Sequence, residues 1–267
     1  MCQLLGMNCN KPAAITFSFE GFCRRGGMTG EHADGWGIAF FEDRGCRLFI
    51  DEQASCRSPL AEMIRNYPIK SRNVIAHIRK ATQGVVSLQN CHPFQRELWG
   101  RHWIFAHNGD LKEFRPLLSG LYTPVGDTDS ERAFCFLMQH LRSRFGNTPP
   151  ALPELYEALQ EYSAMVAAHG VFNYMLSNGE ALFAHCSTNL HYVVRQSPFT
   201  SARLVDCDLA IDFNQHNHLD DRICVIATQP LTRDEVWHAF APGELKLFVG
   251  GQPSDGTVRA PLSAIAI

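Results

Sequence analysis

Apolar residues in the first part of the chain come in short, nearly continuous runs, the pattern of buried strands rather than of long amphipathic helices. Residues 2–6 follow it, with Leu4 and Leu5 directly behind Cys2. Residues 13–22 have ambiguous periodicity and are read as a helix, followed by a polar, glycine-rich loop at 24–30. A strand is expected from Trp36 to the end of the Phe40-Phe41 pair, turned back at Gly45 into a second one over 46–50. Ser58 and Pro59 mark the N-cap and first turn of a helix over 59–67. Residues 73–78 and 103–107 are compact buried strands. The first ends at Arg79-Lys80-Ala81-Thr82, the second at Asn108-Gly109, a dipeptide most often found in turns. Between them, Pro93 makes the segment opening at Cys91 an edge strand rather than a central one. Residues 110–118 read as helical.

The pattern then changes. Ala133, Phe134, Leu137, Met138 and Leu141 have helical spacing, so a helix is expected over 132–145. Thr128 or Asp129 caps it, and Glu131 completes a capping box with Thr128. A proline-containing connection at 147–152 leads to a second amphipathic helix over 154–169. Strands follow at 171–177, 181–185, 190–195, 202–205, 222–228 and 244–250. Strands, two helices, then strands fit an α+β fold rich in antiparallel sheet better than repeated βαβ units. No composition break, repeat or low-complexity tract divides the chain, so residues 1–267 are taken as a single domain.

Composition narrows the function classes. A hydrophobic content of 45% with 19% charged residues is that of a globular protein. The net charge of −3 gives no electrostatic reason to expect nucleic acid or an anionic membrane. No apolar run reaches the length of a membrane span, and no basic-then-apolar leader opens the chain, so a cytoplasmic location is expected. Ten cysteines in that compartment are read as free thiols; they form no C-x-x-C pair, and the twelve histidines form no H-x-x-x-H pair. Neither a metal nor any other cofactor is expected.

The candidate chemistry begins at Met1-Cys2. A small residue at position two lets the initiator methionine be removed, leaving a thiol nucleophile and a free α-amine on one residue. That amine titrates near ~8, close to the working pH, and so can take and return a proton. Three further polar elements stand at element ends: Arg79 with Thr82, Asn108-Gly109, and Asp129. An Asn side chain and the next backbone N–H can stabilise an oxyanion. Arg79 suits a bidentate carboxylate contact, and Asp129 an ammonium group.

The chain resembles the class II glutamine amidotransferases, which are N-terminal nucleophile hydrolases. The matching pieces are Met1-Cys2, His32-x-Asp34-Gly35-Trp36-Gly37, His77-Ile78-Arg79-x-x-Thr82, Asn90-x-His92-Pro93-Phe94, His107-Asn108-Gly109 and Thr128-Asp129-Ser130-Glu131. They occur in family order over the first half. Later segments, Gly170-Val171-Phe172-Asn173, Cys186-Ser187-Thr188-Asn189 and Ala227-Thr228-Gln229-Pro230, resemble the stand-alone YafJ-like subgroup. The resemblance implies a four-layer αββα sandwich of two antiparallel sheets. It implies that Cys2 attacks the γ-amide of glutamine, giving a thioester that water hydrolyses. Asn108 and Gly109 match the oxyanion hole, Arg79 the carboxylate ligand and Asp129 the amine ligand; Thr82 is a further substrate contact. Gly35 and Trp36 lie in a turn beside the nucleophile and are carried as substrate contacts, although an aromatic such as Trp36 more often belongs to the core. His77, His92 and His107 are expected to pack or orient neighbours, and Arg25 and His32 are candidates for a lid. Three functions fit: a glutaminase whose synthase is a separate subunit, a free-standing hydrolase of γ-glutamyl amides, or a non-catalytic relative.

Overall fold

The computed structural model describes residues 2–82 and 84–254. In chain order the elements are β1 (Gln3–Ala14), α1 (Thr16–Arg24), β2 (Trp36–Glu42), β3 (Gly45–Asp51), α2 (Pro59–Asn66), β4 (Lys70–Ile78), β5 (Phe94–Leu98), β6 (Arg101–Leu111), α3 (Asp129–Phe145) and α4 (Leu152–Ala167). Then come β7 (Gly170–Ser177), β8 (Leu182–Cys186), β9 (His191–Gln196), β10 (Ser201–Arg203), β11 (Ala210–Asp212), β12 (Arg222–Ala227), β13 (His238–Ala239), β14 (Glu244–Val249) and β15 (Gln252–Ser254). A seven-stranded sheet runs β13-β9-β12-β1-β4-β2-β3, and a six-stranded one β15-β14-β8-β7-β6-β5. Every pairing is antiparallel.

Side-chain alternation turns these sheets into layers. Along β1, Leu5 and Met7 point outward onto Phe19 and Phe22 of α1 and Ile64 of α2. Leu4 points the other way, into a layer with Ile75 of β4, Ile104 and Ala106 of β6, Met175 of β7 and Ile226 of β12. On the far side of the second sheet, Phe105 and Phe172 pack under Phe134 and Leu137 of α3 and Leu155 and Leu159 of α4. Phe105 and Phe134 stack with centroids 5.1 Å apart, worth ~0.5–1.5 kcal/mol beyond the area they bury. The molecule is an α+β sandwich of two antiparallel sheets with helices outside, the architecture expected.

Several local expectations are corrected. Asn108-Gly109 is not a turn. β6 runs through both residues, paired as Asn108↔Asn173 and Gly109↔Phe172, because β7 supplies a partner that lies far away in sequence. The helix over 110–118 does not form: Asp110 and Leu111 finish β6, and Pro116 would break an i→i−4 ladder. That segment is held instead by Gln139 of α3, whose side chain accepts from Ser119 N–H and donates to Leu117 O. β1 extends to Ala14, so the helix read over 13–22 is displaced to Thr16–Arg24. The Ser58 and Thr128 caps are present, accepting from Ala61 and Glu131 N–H. Glu131 does not close a capping box. Its carboxylate accepts from Gly126 N–H at 2.7 Å and from Arg96 at 2.5 Å.

Candidate active site

The register of three neighbouring strands places the first polar groups. β1 opens with Gln3 opposite Ile78, and Ile78 is also opposite Trp36, so Cys2, Arg79 and Gly35 come to the same sheet edge. Cys2 shares the parity of Leu4 and so faces the space between the sheets. Its sulfur rests on the backbone of Lys80. Lys80 N–H donates to Sγ at 3.3 Å, and the thiol donates to Lys80 O at 3.4 Å. Burial is the largest influence and pushes the thiol above its ordinary value, while the Lys80 N–H and the Arg79 charge pull the other way. A thiol held in this way needs a base before it can act as a nucleophile.

Arg79 directly follows β4 and is 3% exposed. Its backbone N–H donates to Gly35 O at 2.8 Å, and its guanidinium donates to Val85 O at 3.1 Å and Gly84 O at 3.4 Å. Residues 84–90 therefore lie across it. Asn90 latches them: Nδ2 donates to Val85 O and Asp127 Oδ1, and Oδ1 accepts from Asp127 N–H. On the opposite wall Asp129 begins α3, where the helix N-terminus favours an anion. Its Oδ2 accepts from Leu111 N–H and its Oδ1 from Ser130 N–H, both at 2.8 Å, which fixes the carboxylate and leaves lone pairs over.

Asn108 lies on the inner face of β6, fully buried. Its backbone carbonyl accepts from Asn173 Nδ2 at 3.0 Å; Asn173 Oδ1 accepts from Ser187 and Thr188 N–H. The side-chain amide reaches Thr228 Oγ1 at 3.4 Å. Only glycine fits at Gly109, since a Cβ there would stand 1.7 Å from Val171 O.

Three buried histidines underlie the site. His107 Nε2 donates to Val171 O at 2.9 Å, and its Nδ1 lies 2.8 Å from Ser130 Oγ, which also reaches Asp129 Oδ1 at 3.3 Å. His77 and His92 stack at 4.2 Å, and none of their ring nitrogens has a hydrogen-bond partner among the described residues. Burial, helped by neighbouring histidines and Arg79, drives His77 down to about 3 and His92 well below its ordinary value. Burial also lowers His107, against the pull of Asp129.

Cys2, Arg79, Thr82, His92, Gly109 and Asp129 line one cavity of about 20 Å³, room for about one water. Trp36 is not among its walls. It is fully buried on the helix-facing side of β2, 5.8 Å from Phe19, a core residue. Gly35 supports Arg79 from behind; its φ of 107° and a Cβ that would lie 2.4 Å from Cys91 Sγ both require glycine. Arg25 is no lid: it is pinned to Asp206 at 2.9 Å and to the carbonyls of Gln229 and Pro230. His32 accompanies it, with Nδ1 3.3 Å from Arg25 O. Asn90, Ser130, Asn173 and Thr228 had no role in the sequence reading, although each stood inside a quoted motif.

A cysteine at the head of an inner strand, facing a cation and a carboxylate between two antiparallel sheets, is the arrangement of an N-terminal nucleophile hydrolase. Residues 1–263 match the model of the family described as "Glutamine amidotransferases class-II", and the chain belongs to that family. A relative in Haemophilus influenzae, assigned by name to the same family, is 51% identical over 99% of this chain and 90% of its own length. YafJ of Escherichia coli (strain K12) is 49% identical over 94% and 99%. The crystal structure of a predicted glutamine amidotransferase from Pseudomonas aeruginosa superposes with a TM-score of 0.76 at 44% identity, over 94% of this chain and 99% of that one. The phosphoribosylpyrophosphate amidotransferase of Bacillus subtilis shares the fold alone, with a TM-score of 0.58 at 13% identity over 48% of its chain. No helix among the described residues is long and apolar enough to cross a membrane.

Proposed function

We propose that this chain, with residues 1–267 acting as one catalytic domain, hydrolyses the γ-amide of glutamine or of a γ-glutamyl compound through a thioester on Cys2. The observation that carries the reading is the shared cavity: a thiol with a guanidinium and a carboxylate on its walls. Those two charges are what the carboxylate and ammonium of a glutamyl head group require. Met1, whose removal frees the α-amine, lies outside the described residues. The amine takes the Cys2 proton as sulfur attacks the γ-carbonyl carbon, then gives it to the departing nitrogen, so that ammonia or an amine leaves. Water attacks the thioester with the amine again as base, releasing glutamate. Asn108 Nδ2 and Gly109 N–H stabilise the oxyanion of both steps.

Substrate does not fit the cavity as it stands. In this reading residues 84–90 move, and Arg79 exchanges the carbonyls of Gly84 and Val85 for the substrate carboxylate, with Thr82 beside it. The test is turnover of purified, Met1-free protein on glutamine and a panel of N-substituted γ-glutamyl amides, following glutamate, ammonia and amine. Preference for glutamine points to a separate ammonia-consuming subunit, and preference for a substituted amide to a free-standing hydrolase. Turnover of none of them would leave only a binding role.

A further inference from the structure

Thr228 follows β12 at the point where that strand meets the start of β1. Its backbone N–H donates to Leu4 O at 3.1 Å, and its Oγ1 accepts from Leu4 N–H at 2.9 Å. The same oxygen lies 3.4 Å from Nδ2 of Asn108, on the opposite sheet. One hydroxyl, 3% exposed, thus touches both the nucleophile's strand and the oxyanion donor.

Hydrogen-bond arithmetic fixes which way the amide must face. With Nδ2 toward Thr228, the hydroxyl accepts two N–H groups and its own proton finds no place. Oδ1 of Asn108 is then buried without a partner, an arrangement that costs ~1–3 kcal/mol. The two ends of a carboxamide are nearly the same size, so a half-turn about the last torsion exchanges them without steric penalty. Oδ1 then accepts the Thr228 proton, Thr228 still accepts from Leu4, and both mismatches vanish. Nδ2 is left as the open donor, the state an oxyanion hole needs.

We propose that Thr228 is a positioning residue for this site: its hydroxyl donates to Oδ1 of Asn108 and thereby presents Nδ2 to the oxyanion that forms at Cys2. The inference rests on the hydrolase reading above, and it gives the Ala227-Thr228 segment a task that its place at a strand end does not suggest. Because the same hydroxyl holds Leu4, it also sets the oxyanion donor against the strand that carries the nucleophile.

The test compares wild type, Thr228→Ser, Thr228→Val, Asn108→Ala and the Thr228→Val/Asn108→Ala double variant on the best amide of the panel, with folding checked by thermal melts. Two inhibitors are measured beside them. One is a γ-glutamyl aldehyde, whose carbon bonds to the Cys2 sulfur while the thiol proton passes to the aldehyde oxygen in the hole. The other is glutamate, which uses the head-group contacts. Thr228→Val is expected to lower kcat about 10- to 100-fold with KM nearly unchanged, and to weaken the aldehyde by a similar factor but not glutamate. Thr228→Ser should restore wild-type behaviour to within about threefold, and Thr228→Val should add less than about twofold on top of Asn108→Ala. Multiplicative losses in the double variant, an unchanged kcat in Thr228→Val, or equal weakening of glutamate would overturn the assignment while leaving an active wild type. A wild type that neither turns over nor binds the aldehyde would overturn the hydrolase reading, and this inference with it.

Discussion

The two ends of the sandwich are built from the same strands and differ in the opposite sense from what size suggests. At one end β1 starts, and the space holds about 20 Å³ around Cys2. At the other, where Cys9 and Asn10 of β1 pass Lys70 to Asn73 of β4, a groove of about 910 Å³ opens. The large groove carries charged side chains but brings no thiol, cation and carboxylate together as the small cavity does, and its buried polar groups are paired. Asn8 Nδ2 donates to Asn73 Oδ1, Asn73 Nδ2 to Gly179 O, and Gly251 N–H to Asn8 Oδ1. Arg47 pairs with Glu42 and Arg101 with Glu180. The small cavity has His92 on its wall, with His77 packed behind it at 4.2 Å, and neither imidazole has a hydrogen-bond partner among the described residues. A thiol between a guanidinium and a carboxylate marks the chemistry here, and volume does not.

The two cysteines of β1 break or sharpen this contrast most strongly. Burial raises both thiols, Cys9 to about 12, but only Cys2 sits on a backbone N–H with Arg79 and Asp129 around it. Cys2→Ala should abolish turnover, a loss of about 10⁴-fold or more. Cys9→Ala should keep kcat within about twofold and cost ~1 kcal/mol of stability, read by urea unfolding. Next come the two buried asparagines. Asn108→Ala should lower kcat about 10²- to 10³-fold with the fold intact. Asn73→Ala should leave kcat alone and destabilise by ~1–3 kcal/mol, because it strands the Asn8 amide. If Asn73→Ala damaged kcat as much as Asn108→Ala, the two ends would not be functionally distinct. Third, Arg79→Lys loses the planar fork and should raise KM about 10-fold or more with a smaller change in kcat, measured by glutamate release at saturating amide.

The smallest expected effect is on stability with pH. Below about 6.5 the unfolded chain protonates its histidines, whereas His77 stays neutral in the fold until about pH 3. The unfolded state therefore binds more protons, and stability falls as pH falls through that window. His77 alone should contribute ~2 kcal/mol of loss by pH 5. His77→Phe should flatten the dependence of unfolding free energy on pH between 7 and 5, and equal slopes for variant and parent would refute a neutral buried imidazole. No histidine lines the far groove.

Much of this was legible because it is local. Ser58-Pro59, Thr128 and Gly45 announce their caps and turn whatever surrounds them. What failed depends on partners distant in sequence. Asn108-Gly109 reads as a turn until β7 pairs with it, and β11, β13 and β15 exist only through their neighbours. For the site, Cys2, Arg79, Asn108, Gly109 and Asp129 were all named through the resemblance. Trp36 was carried as a contact although the core was the more ordinary place for it, and side-chain parity in β2, set by the sheet, sends it toward Phe19 in the core. Thr228 showed only as a strand end inside a motif with no role attached, since its meaning lies in a hydroxyl shared between sheets.

The central claim is that Cys2, freed of Met1, is the nucleophile. Intact and peptide mass spectrometry after treatment with an electrophilic glutamine analogue tests it most directly. The expected result is one adduct per chain, on Cys2, in protein lacking the initiator methionine, with none on Cys2→Ala. An adduct on Cys91 or another thiol, or labelling and glutamate release that survive in Cys2→Ala, would contradict the account.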